Sequence, residues 1–492
     1  MPKSMMNKAF APLRKNTGLV NALALSALAL AVIAVSALVV ILPGASTYLL
    51  GLMGGVGYIL LCVSQPFAAF AILLLFALTV WLSGIKVAGG VSVMIGVGAV
   101  FTLTWLTHLI FRSATFIRVR EFGLLLALSA VLSISTLLHL DGPAGLAAVS
   151  TYLQLFLFFI LVINLATTPE RLTIIGNLII VSSTLLAVLI LLDQIGWLPP
   201  QLIPEQNLSI APGVAVIISR TAGVWGDANV TALQLTIALP FIMARWPGAS
   251  QARRALLLAA GGTILVTFVW TFSMGGLLGL SVMIMVKMLM APRRHRLFII
   301  ARNGLIGIVA PSAFLAFAPE LFVQRVVILF ESNVAALNAF DRASLLTIGT
   351  TRGDAWWAAL QAIAAAPLFG YGPGNGIYAN ASHSILRSTI FLSPHNMFLA
   401  VAGDLGLVGL VFFVVLFVSA LRAVWPQSNV PAGASNLQST RQALFIALIG
   451  FTVQGMLLEV HNMKLLWILL GMAIAYREVS VQAMPGSKET TR

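Results

Sequence analysis

Three arginines and a histidine are the side chains of this sequence best suited to chemistry. Arg220, Arg352 and Arg387 carry planar guanidinium groups, which stay charged at any relevant pH and bind phosphate oxygens in pairs. His395 follows Pro394 at the start of an apolar run. A histidine with a pKa of about 6.5 can take a proton from a hydroxyl group at neutral pH. These residues predict phosphate binding by the arginines and general-base catalysis by the histidine.

Simpler roles remain open for each of these side chains. Arg352 could pair with Asp354, and any of the arginines could extend to a lipid headgroup. His395 could be a hydrogen-bonded residue that fixes a loop end, and His383 is a second candidate base. A metal site built from His383 and His395 is a further alternative, but no nearby carboxylate has the spacing of a metal ligand. The motifs of nucleotide-binding loops and zinc proteases are also missing, so we predict no metal and no cofactor.

The chain around these residues is too apolar for a soluble protein. Of its 492 residues, 60% are hydrophobic and 9% are charged, whereas soluble domains carry about a quarter charged residues. Apolar runs of about 17 to 25 residues match helices that cross a bilayer. The single cysteine, Cys62, excludes a disulfide framework, and its apolar surroundings predict a core residue. We therefore predict an all-α polytopic membrane protein.

The apolar runs predict about 12 to 14 transmembrane helices. The fourteen candidate spans are residues 17–42, 46–64, 66–83, 88–111, 122–140, 144–166, 172–192, 229–244, 255–272, 276–290, 298–317, 396–420, 442–458 and 463–476. The first run ends in small residues, as signal peptides do, but its length favours an uncleaved span.

Basic residues assign an orientation to these spans. With a cytoplasmic N-terminus and C-terminus, most arginines and lysines fall on the cytoplasmic side, as the positive-inside rule requires. This pattern accounts for most of the net charge of +14, so the charge gives no reason to expect nucleic acid as a partner. Seven basic residues remain on the outer side: Lys86, Arg220, Arg325, Arg342, Arg352, Arg387 and Lys464. The acids Asp227, Asp354 and Glu459 are predicted at the same side, where each could orient a histidine or pair with an arginine.

Two outer insertions interrupt the spans, a smaller one near 193–228 and a larger one at 319–395. Structureless loops beyond about 15 residues are uncommon, so the larger insertion is predicted to be mostly helical. The sequence thus divides into spans at 1–318, the loop at 319–395 that carries the candidate chemistry, and spans at 396–492 with a short tail.

Within the larger loop, helical spacing predicts an amphipathic surface helix near 321–346. Alanines at 355–366, following Arg352 and Asp354, predict a helix that Pro367 ends. The glycines of 370–376 predict tight turns where a ligand could approach the main chain closely. A short helix is expected to return through 377–392, and Pro394 is expected near the first turn of the next span.

An ordered set of motifs runs through this loop and into the next span. After Arg352 and Trp356 come Pro-Leu-Phe-Gly-Tyr-Gly at 367–372 and Gly-Asn-Gly at 374–376, then Ser-Pro-His-Asn at 393–396 and Asp-Leu-Gly-Leu-Val-Gly at 404–409. This order resembles the O-antigen ligase and polymerase superfamily, whose members transfer glycans from polyprenyl diphosphate carriers. One position departs from the family, which often has an arginine after a serine at the outer end of a mid-chain span. Here Met274 follows Ser273, which leaves Arg220 as the substitute.

The resemblance implies a GT-C-like fold in the bacterial inner membrane with a periplasmic active site. The donor would be O-antigen linked to undecaprenyl diphosphate, and the acceptor a sugar hydroxyl of lipid A-core. Arg220 and Arg352, with Arg387, would bind the diphosphate. His395 would deprotonate the acceptor for direct, inverting attack without a metal. The predicted substrate-binding positions are Arg387, His383, Asp354, Asn396, Gly372 and Gly374.

Related functions use the same donor with another acceptor. An O-antigen polymerase uses a second glycan, and a protein O-oligosaccharyltransferase uses a serine or threonine hydroxyl. We prefer the ligase because the chain ends soon after the last span, whereas such oligosaccharyltransferases often carry an additional C-terminal outer domain. A flippase for lipid-linked glycans is the non-enzyme alternative. Transporters place ionisable residues at mid-membrane and contain broken helices, whereas the candidate groups here cluster at one face.

Overall fold

The structure is a computed structural model that describes ten segments of the chain: residues 45–79, 93–111, 114–142, 144–198, 205–209, 217–221, 223–290, 350–384, 391–426 and 435–482. Within these segments the regular secondary structure is helical apart from one two-stranded hairpin and a short 3₁₀ turn. It forms two compact units, residues 1–116 and 117–492.

The first unit contains three described helices: α1 at Ala45–Ser64, α2 at Pro66–Leu78 and α3 at Val93–Ile110. Pro66 opens α2, where its missing N–H leaves no hydrogen bond unmade. Phe70 of α2 and Phe101 of α3 stack with ring centroids 5.6 Å apart. Cys62 is buried, which confirms the prediction that it is a core residue.

The second unit contains the remaining elements. Its helices before the hairpin are α4 at Glu121–Leu138, α5 at Gly145–Leu165 and α6 at Pro169–Gln194. The hairpin pairs β1 at Glu205–Ser209 with β2 at Ile217–Thr221, and a 3₁₀ turn follows at Gly223–Trp225. The later helices are α7 at Ala228–Arg245, α8 at Gln251–Trp270, α9 at Met274–Leu289, α10 at Thr350–Ala365, α11 at Gly376–His383, α12 at Met397–Ala423, α13 at Ser435–Gly455 and α14 at Lys464–Gln482.

The prediction of a polytopic helical membrane protein is confirmed. Eight of the described helices are long and apolar enough to cross a membrane, namely α3 to α8, α12 and α14. Twelve of the fourteen predicted spans coincide with described helices within several residues. The other two, 17–42 and 298–317, lie outside the described residues, as does the helix expected near 321–346. The two-stranded hairpin in the smaller insertion was not predicted.

Side-chain caps set where five of the described helices begin. Asp227 and Asn396 each accept hydrogen bonds from two backbone N–H groups in the first turns of α7 and α12. The other three caps are Thr168, Ser250 and Ser273. Short polar side chains are favoured here because the first N–H groups of a helix have no partner within it. Residue type therefore fixes these boundaries locally.

Helix α12 is broken at Gly406, where φ is 70° and ψ is −177°. The turn of residues 366–375, called the glycine turn below, fills this break. Tyr371 N–H donates to the Gly403 carbonyl at 2.9 Å, and Gly372 N–H donates to that of Asp404 at 3.0 Å. In return, Leu407 N–H donates to the Pro367 carbonyl at 2.7 Å. Backbone groups freed by a helix break need partners in an apolar environment, and the glycine turn supplies them.

The other end of α12 is tied to α4 and α14 by a buried carboxylate. Glu121, at the start of α4, is fully buried and receives two hydrogen bonds from Arg477 at 2.7 and 2.8 Å. Ser419, near the end of α12, donates to the same carboxylate at 2.5 Å. The start of α4 therefore lies beside the ends of α12 and α14, as the predicted threading of these spans requires.

Candidate active site

Helix α10 carries two of the predicted site residues in its first turns. The sequence placed Arg352 and Asp354 before this helix, but α10 begins at Thr350 and includes both. The Asp354 side chain is 8% exposed and accepts a hydrogen bond from Ser384 Oγ at 2.6 Å. Asp354 thereby joins the start of α10 to the end of α11.

A face of four buried alanines explains how closely α10 packs. Ala355, Ala358, Ala359 and Ala362 are all fully buried, and α10 contacts both α11 and α12. Small side chains permit this close approach of helices. Trp356 and Trp357 lie on the exposed side. The alanine face thus holds the first turn of α10, with Arg352 and Asp354, close to α11 and α12.

The glycine turn lies between α10 and α11 and contains Gly372 and Gly374. Both have positive φ, 90° and 74°. Two hydrogen bonds join this turn to neighbouring helices. Asn375 Oδ1 accepts one from Ala144 N–H at 2.9 Å, and Ser135 Oγ donates one to the Phe369 carbonyl at 2.5 Å. The turn therefore binds α4, the start of α5 and the broken part of α12.

His395 lies immediately before helix α12 with an unusual backbone conformation. Its φ is 44°, a left-handed value that non-glycine residues adopt at a cost of about 1 to 3 kcal/mol. Asn396 caps the helix through hydrogen bonds from Phe398 N–H at 2.9 Å and Leu399 N–H at 3.2 Å. Pro394 lies two residues before the cap, close to the first turn of α12. The cap and the left-handed residue together fix where the His395 imidazole leaves the chain.

Ser393, just before α12, and Glu459, in the loop between α13 and α14, support His395. Ser393 Oγ accepts a hydrogen bond from the His395 backbone N–H at 3.2 Å. The same hydroxyl donates to Glu459 Oε2 at 2.6 Å. Burial raises the pKa of the Glu459 carboxyl, while His461 and the Ser393 hydrogen bond act in the opposite direction.

A second buried carboxylate, Asp404, lies in α12 two residues before the break. Its Oδ1 accepts a hydrogen bond from Gly376 N–H at 3.0 Å, and its Oδ2 accepts one from Tyr152 Oη at 3.1 Å. His461 Nε2 lies 3.7 Å from the same Oδ2. Asp404 therefore fixes the first turn of α11 to α12 and lies between α5 and the loop that carries Glu459.

Comparison with known families identifies part of the chain. Residues 255–414 match the family model described as O-antigen ligase. These residues are similar to that family and are called the O-antigen ligase segment below. No curated protein matches the chain. The matched segment runs from α8 into α12 and includes His395, Arg352 and the glycine turn. This similarity supports a glycosyltransferase at the general level.

The O-antigen ligase segment contains most of the predicted site residues, but they differ in how fully they are described. His395, Asn396, Asp354, Gly372 and Gly374 have described surroundings, given above. His383, at the end of α11, is half-buried, and its Nδ1 lies 2.8 Å from the Ala379 carbonyl. The Arg352 side chain and the whole of Arg387 lie outside the described residues. The packing of α10 and α11 against α12 brings the backbone of Arg352, the glycine turn and α12 together in the second unit.

Arg220 lies outside the O-antigen ligase segment, in the β-hairpin. Its backbone is on β2 and pairs with Gln206 of β1. The hairpin is followed by Asp227, which caps α7. Ser273, where the family pattern would have a following arginine, caps α9 and donates a hydrogen bond to Asn229 Oδ1 at 2.8 Å. The serine of that motif is thus joined to the helix that the hairpin leads into.

Sequence reasoning missed most of the contacts that support the O-antigen ligase segment. Asp404 was noted only as part of a motif, and Tyr152 was not noted at all. Ser393 was seen as part of the Ser-Pro-His-Asn motif, without its link to Glu459. Glu459 was predicted as an outer acid that could orient a histidine, but its connection to His395 through the Ser393 hydroxyl was not predicted.

Possible metal ligands were also compared across the described residues. Within those ranges, no group of three or more His, Cys, Asp or Glu side chains is arranged to hold a metal ion. His383 and His395 therefore have no described carboxylate that completes a site with them. Metal independence remains a prediction.

Proposed function

We propose that this protein is an O-antigen ligase of the bacterial inner membrane. In this proposal it transfers the O-antigen glycan from undecaprenyl diphosphate to a sugar hydroxyl of lipid A-core on the periplasmic side. The observation that carries the proposal is the setting of His395, a left-handed residue at the start of α12 that is supported by Ser393 and lies within the O-antigen ligase segment.

The proposed reaction is a direct displacement at the anomeric carbon of the donor. One nitrogen of the His395 imidazole accepts the proton of the acceptor hydroxyl. The hydroxyl oxygen forms the new glycosidic bond as the bond between the anomeric carbon and the diphosphate oxygen breaks. Undecaprenyl diphosphate leaves with the bonding electrons, and the configuration of the anomeric carbon is inverted. The diphosphate linkage supplies the driving force.

Arginines would stabilise the negative charge that the leaving diphosphate gains. Arg352 lies in the first turn of α10, which packs against α12, and this supports a role close to His395. Arg220 would reach the same diphosphate from the β-hairpin and Arg387 from the segment after α11. Fixed positive groups aimed at developing charge are a large contribution to catalysis in many enzymes.

The broken helix α12 and buried Asp404 also invite a transporter interpretation. Transporters use broken helices whose free backbone groups bind the substrate. In this protein the glycine turn occupies the backbone groups at the break, and Asp404 accepts hydrogen bonds from Tyr152 and Gly376. These contacts favour a structural role for the break, so we prefer the enzyme.

The test is transfer by purified protein between a polyprenyl-diphosphate glycan and lipid A-core. We expect His395→Ala to lower kcat by about 100-fold or more because the proton acceptor is lost. Arg352→Ala should lower it by about 100-fold through loss of charge stabilisation. Arg254→Ala is the matched control, because Arg254 is an exposed residue of α8 that lies over the Trp246 ring. His383→Ala tests the second candidate base.

Each outcome of this test has a distinct meaning. Full transfer by both His395→Ala and Arg352→Ala would refute the proposed mechanism. Consumption of donor only when a second glycan is the acceptor would identify a polymerase, and transfer to a serine or threonine hydroxyl would identify a protein O-oligosaccharyltransferase. Activity that is lost with a chelator and restored by a divalent metal would contradict the prediction of metal independence.

A further inference from the structure

The hydroxyl of Ser393 connects two groups that come from distant parts of the sequence. It donates its only proton to Glu459 Oε2 at 2.6 Å, and its oxygen accepts the His395 backbone N–H at 3.2 Å. A serine hydroxyl has one proton and two lone pairs. Because Glu459 takes the proton, the lone pairs are free to face the N–H of His395, and Glu459 thereby sets the orientation of the hydroxyl.

The backbone of His395 needs such support. Its φ of 44° is uncommon for a residue with a side chain, and strained conformations persist only where surrounding contacts hold them. Asn396 holds the chain on the helix side through its cap. On the other side, the described contact of the His395 N–H is Ser393 Oγ.

Glu459 is itself well placed to act as a fixed anchor. It lies in the short connection between α13 and α14, where Leu458, Val460 and His461 are buried on either side of it. The indole N–H of Trp467 in α14 donates to the His461 carbonyl at 2.9 Å, which fixes this connection to the helix. The carboxylate therefore projects from a rigid part of the second unit.

We infer that Glu459 is a positioning residue for His395 and acts through the Ser393 hydroxyl. The inference rests on the proposed function, since it gives His395 the role of general base. Glu459 lies outside the O-antigen ligase segment at 255–414, so it adds the α13–α14 connection to the catalytic apparatus. Proton transfer depends on the placement of the base, and a misplacement of about 1 Å can lower a rate by about 100-fold.

The experiment compares variants that remove the hydrogen bonds of Ser393 and Glu459 with variants that keep them. Ser393→Ala and Glu459→Ala each remove the linkage, and we expect kcat to fall by about 10- to 100-fold with little change in KM for either substrate. Ser393→Thr keeps a hydroxyl, and Glu459→Gln keeps an acceptor oxygen, so both should retain most of the activity. Because the two residues act in series, the double variant Ser393→Ala/Glu459→Ala should be no slower than the slower single variant.

A matched control exists at the other end of α12. Ser419 Oγ donates to buried Glu121 Oε1 at 2.5 Å, a serine–glutamate hydrogen bond of the same kind about 36 Å from His395 by helical rise. Ser419→Ala should leave kcat unchanged. Thermal unfolding in detergent separates folding defects from kinetic ones, and Ser393→Ala serves if Glu459→Ala fails to fold.

Two results would overturn the inference. One is wild-type kcat in both alanine variants while His395→Ala is inactive, which would refute the role of Glu459 and leave the proposed function standing. The other is an equal fall in kcat/KM for Glu459→Gln and Glu459→Ala that comes from a higher KM while kcat is unchanged. That result would indicate that Glu459 contacts the substrate. If His395→Ala is fully active, the proposed function itself fails.

Discussion

At the scale of single residues, the site depends on a few polar groups that are buried in a very apolar protein. Asp404, His461 and Tyr152 are each no more than 5% exposed. Asp404 receives hydrogen bonds from Gly376 and Tyr152. Buried polar groups require partners because an unsatisfied one costs about 1 to 3 kcal/mol. The described network therefore supports the chain around His395 and α11.

Glu459 gives a prediction about pH at this scale. Burial raises the pKa of its carboxyl above the ordinary value of 4.5, and Asp404 acts in the same direction, whereas His461 and Ser393 act against it; Tyr152 also faces this group. A raised pKa favours the protonated form in the folded protein. The corresponding stability is present below pH 4.5 and is lost as the pH rises through the raised pKa.

We therefore expect Glu459→Gln, which cannot ionise, to gain stability relative to the wild type as the pH rises. The measurement is the thermal unfolding midpoint in detergent, taken from about pH 4 to pH 8. Glu170→Gln is the control, because it removes an exposed carboxyl at the start of α6. A difference between Glu459→Gln and wild type that stays constant with pH would contradict this prediction.

At the scale of elements, the most consequential feature is the union of the glycine turn with α12. Each side supplies backbone donors and acceptors to the other. A Cβ atom at Gly406 would lie 2.1 Å from the Leu368 carbonyl oxygen, and one at Gly370 would lie 2.5 Å from that of Gly403. Both glycines also have positive φ. Neither position can accept a side chain without separation of the turn from the helix.

Gly406→Ala should therefore destabilise the protein by about 3 kcal/mol or more and lower transfer activity with it. The matched control is Gly262→Ala in α8, where nothing lies within 4 Å of the added Cβ. That change should be neutral or slightly stabilising, because alanine is the better helix former by about 1 kcal/mol. Unfolding midpoints of the two variants in detergent give the comparison, and equal midpoints would refute the account of the break.

The elements also show what could be predicted from sequence and what could not. The end of α10 before Pro367 could be predicted because proline acts on its immediate neighbours. The break in α12 could not be predicted, because apolar residues continue through Gly406 and the hydrogen-bond partners of the broken turn lie in another segment. Tyr152 and Asp404 are 252 positions apart, a distance over which periodicity carries no information about contact.

At the scale of the whole second unit, polar clusters lie at both ends of α12. At one end are Ser393, His395 and the network of Asp404. At the other is Glu121 with Ser419 and Arg477. Between them lie large buried side chains such as Phe159 and Trp467. The apolar core sets the spacing of the helices, and the clusters fix their ends.

Loss of Arg477 tests the second cluster. Arg477→Ala leaves the fully buried Glu121 carboxylate without its bidentate partner, and removal of one partner of a buried pair costs about 3 kcal/mol or more. The double variant Glu121→Gln/Arg477→Ala removes the buried charge as well and should recover part of that stability. Free energies of unfolding in detergent measure both. If the double variant is no more stable than Arg477→Ala, the unpaired charge of Glu121 is not the cause of the lost stability.

The union of the glycine turn with α12 also bears on how this family can diversify or be engineered. The outer loop ends at His395 in the sequence, but its glycine turn is hydrogen-bonded to α12 as far as Leu407. A chimera that exchanged only the loop would combine a turn from one parent with a break from another. The smallest interchangeable piece is therefore the glycine turn together with the first half of α12, and acceptor specificity built into the loop would be inherited with that helix segment.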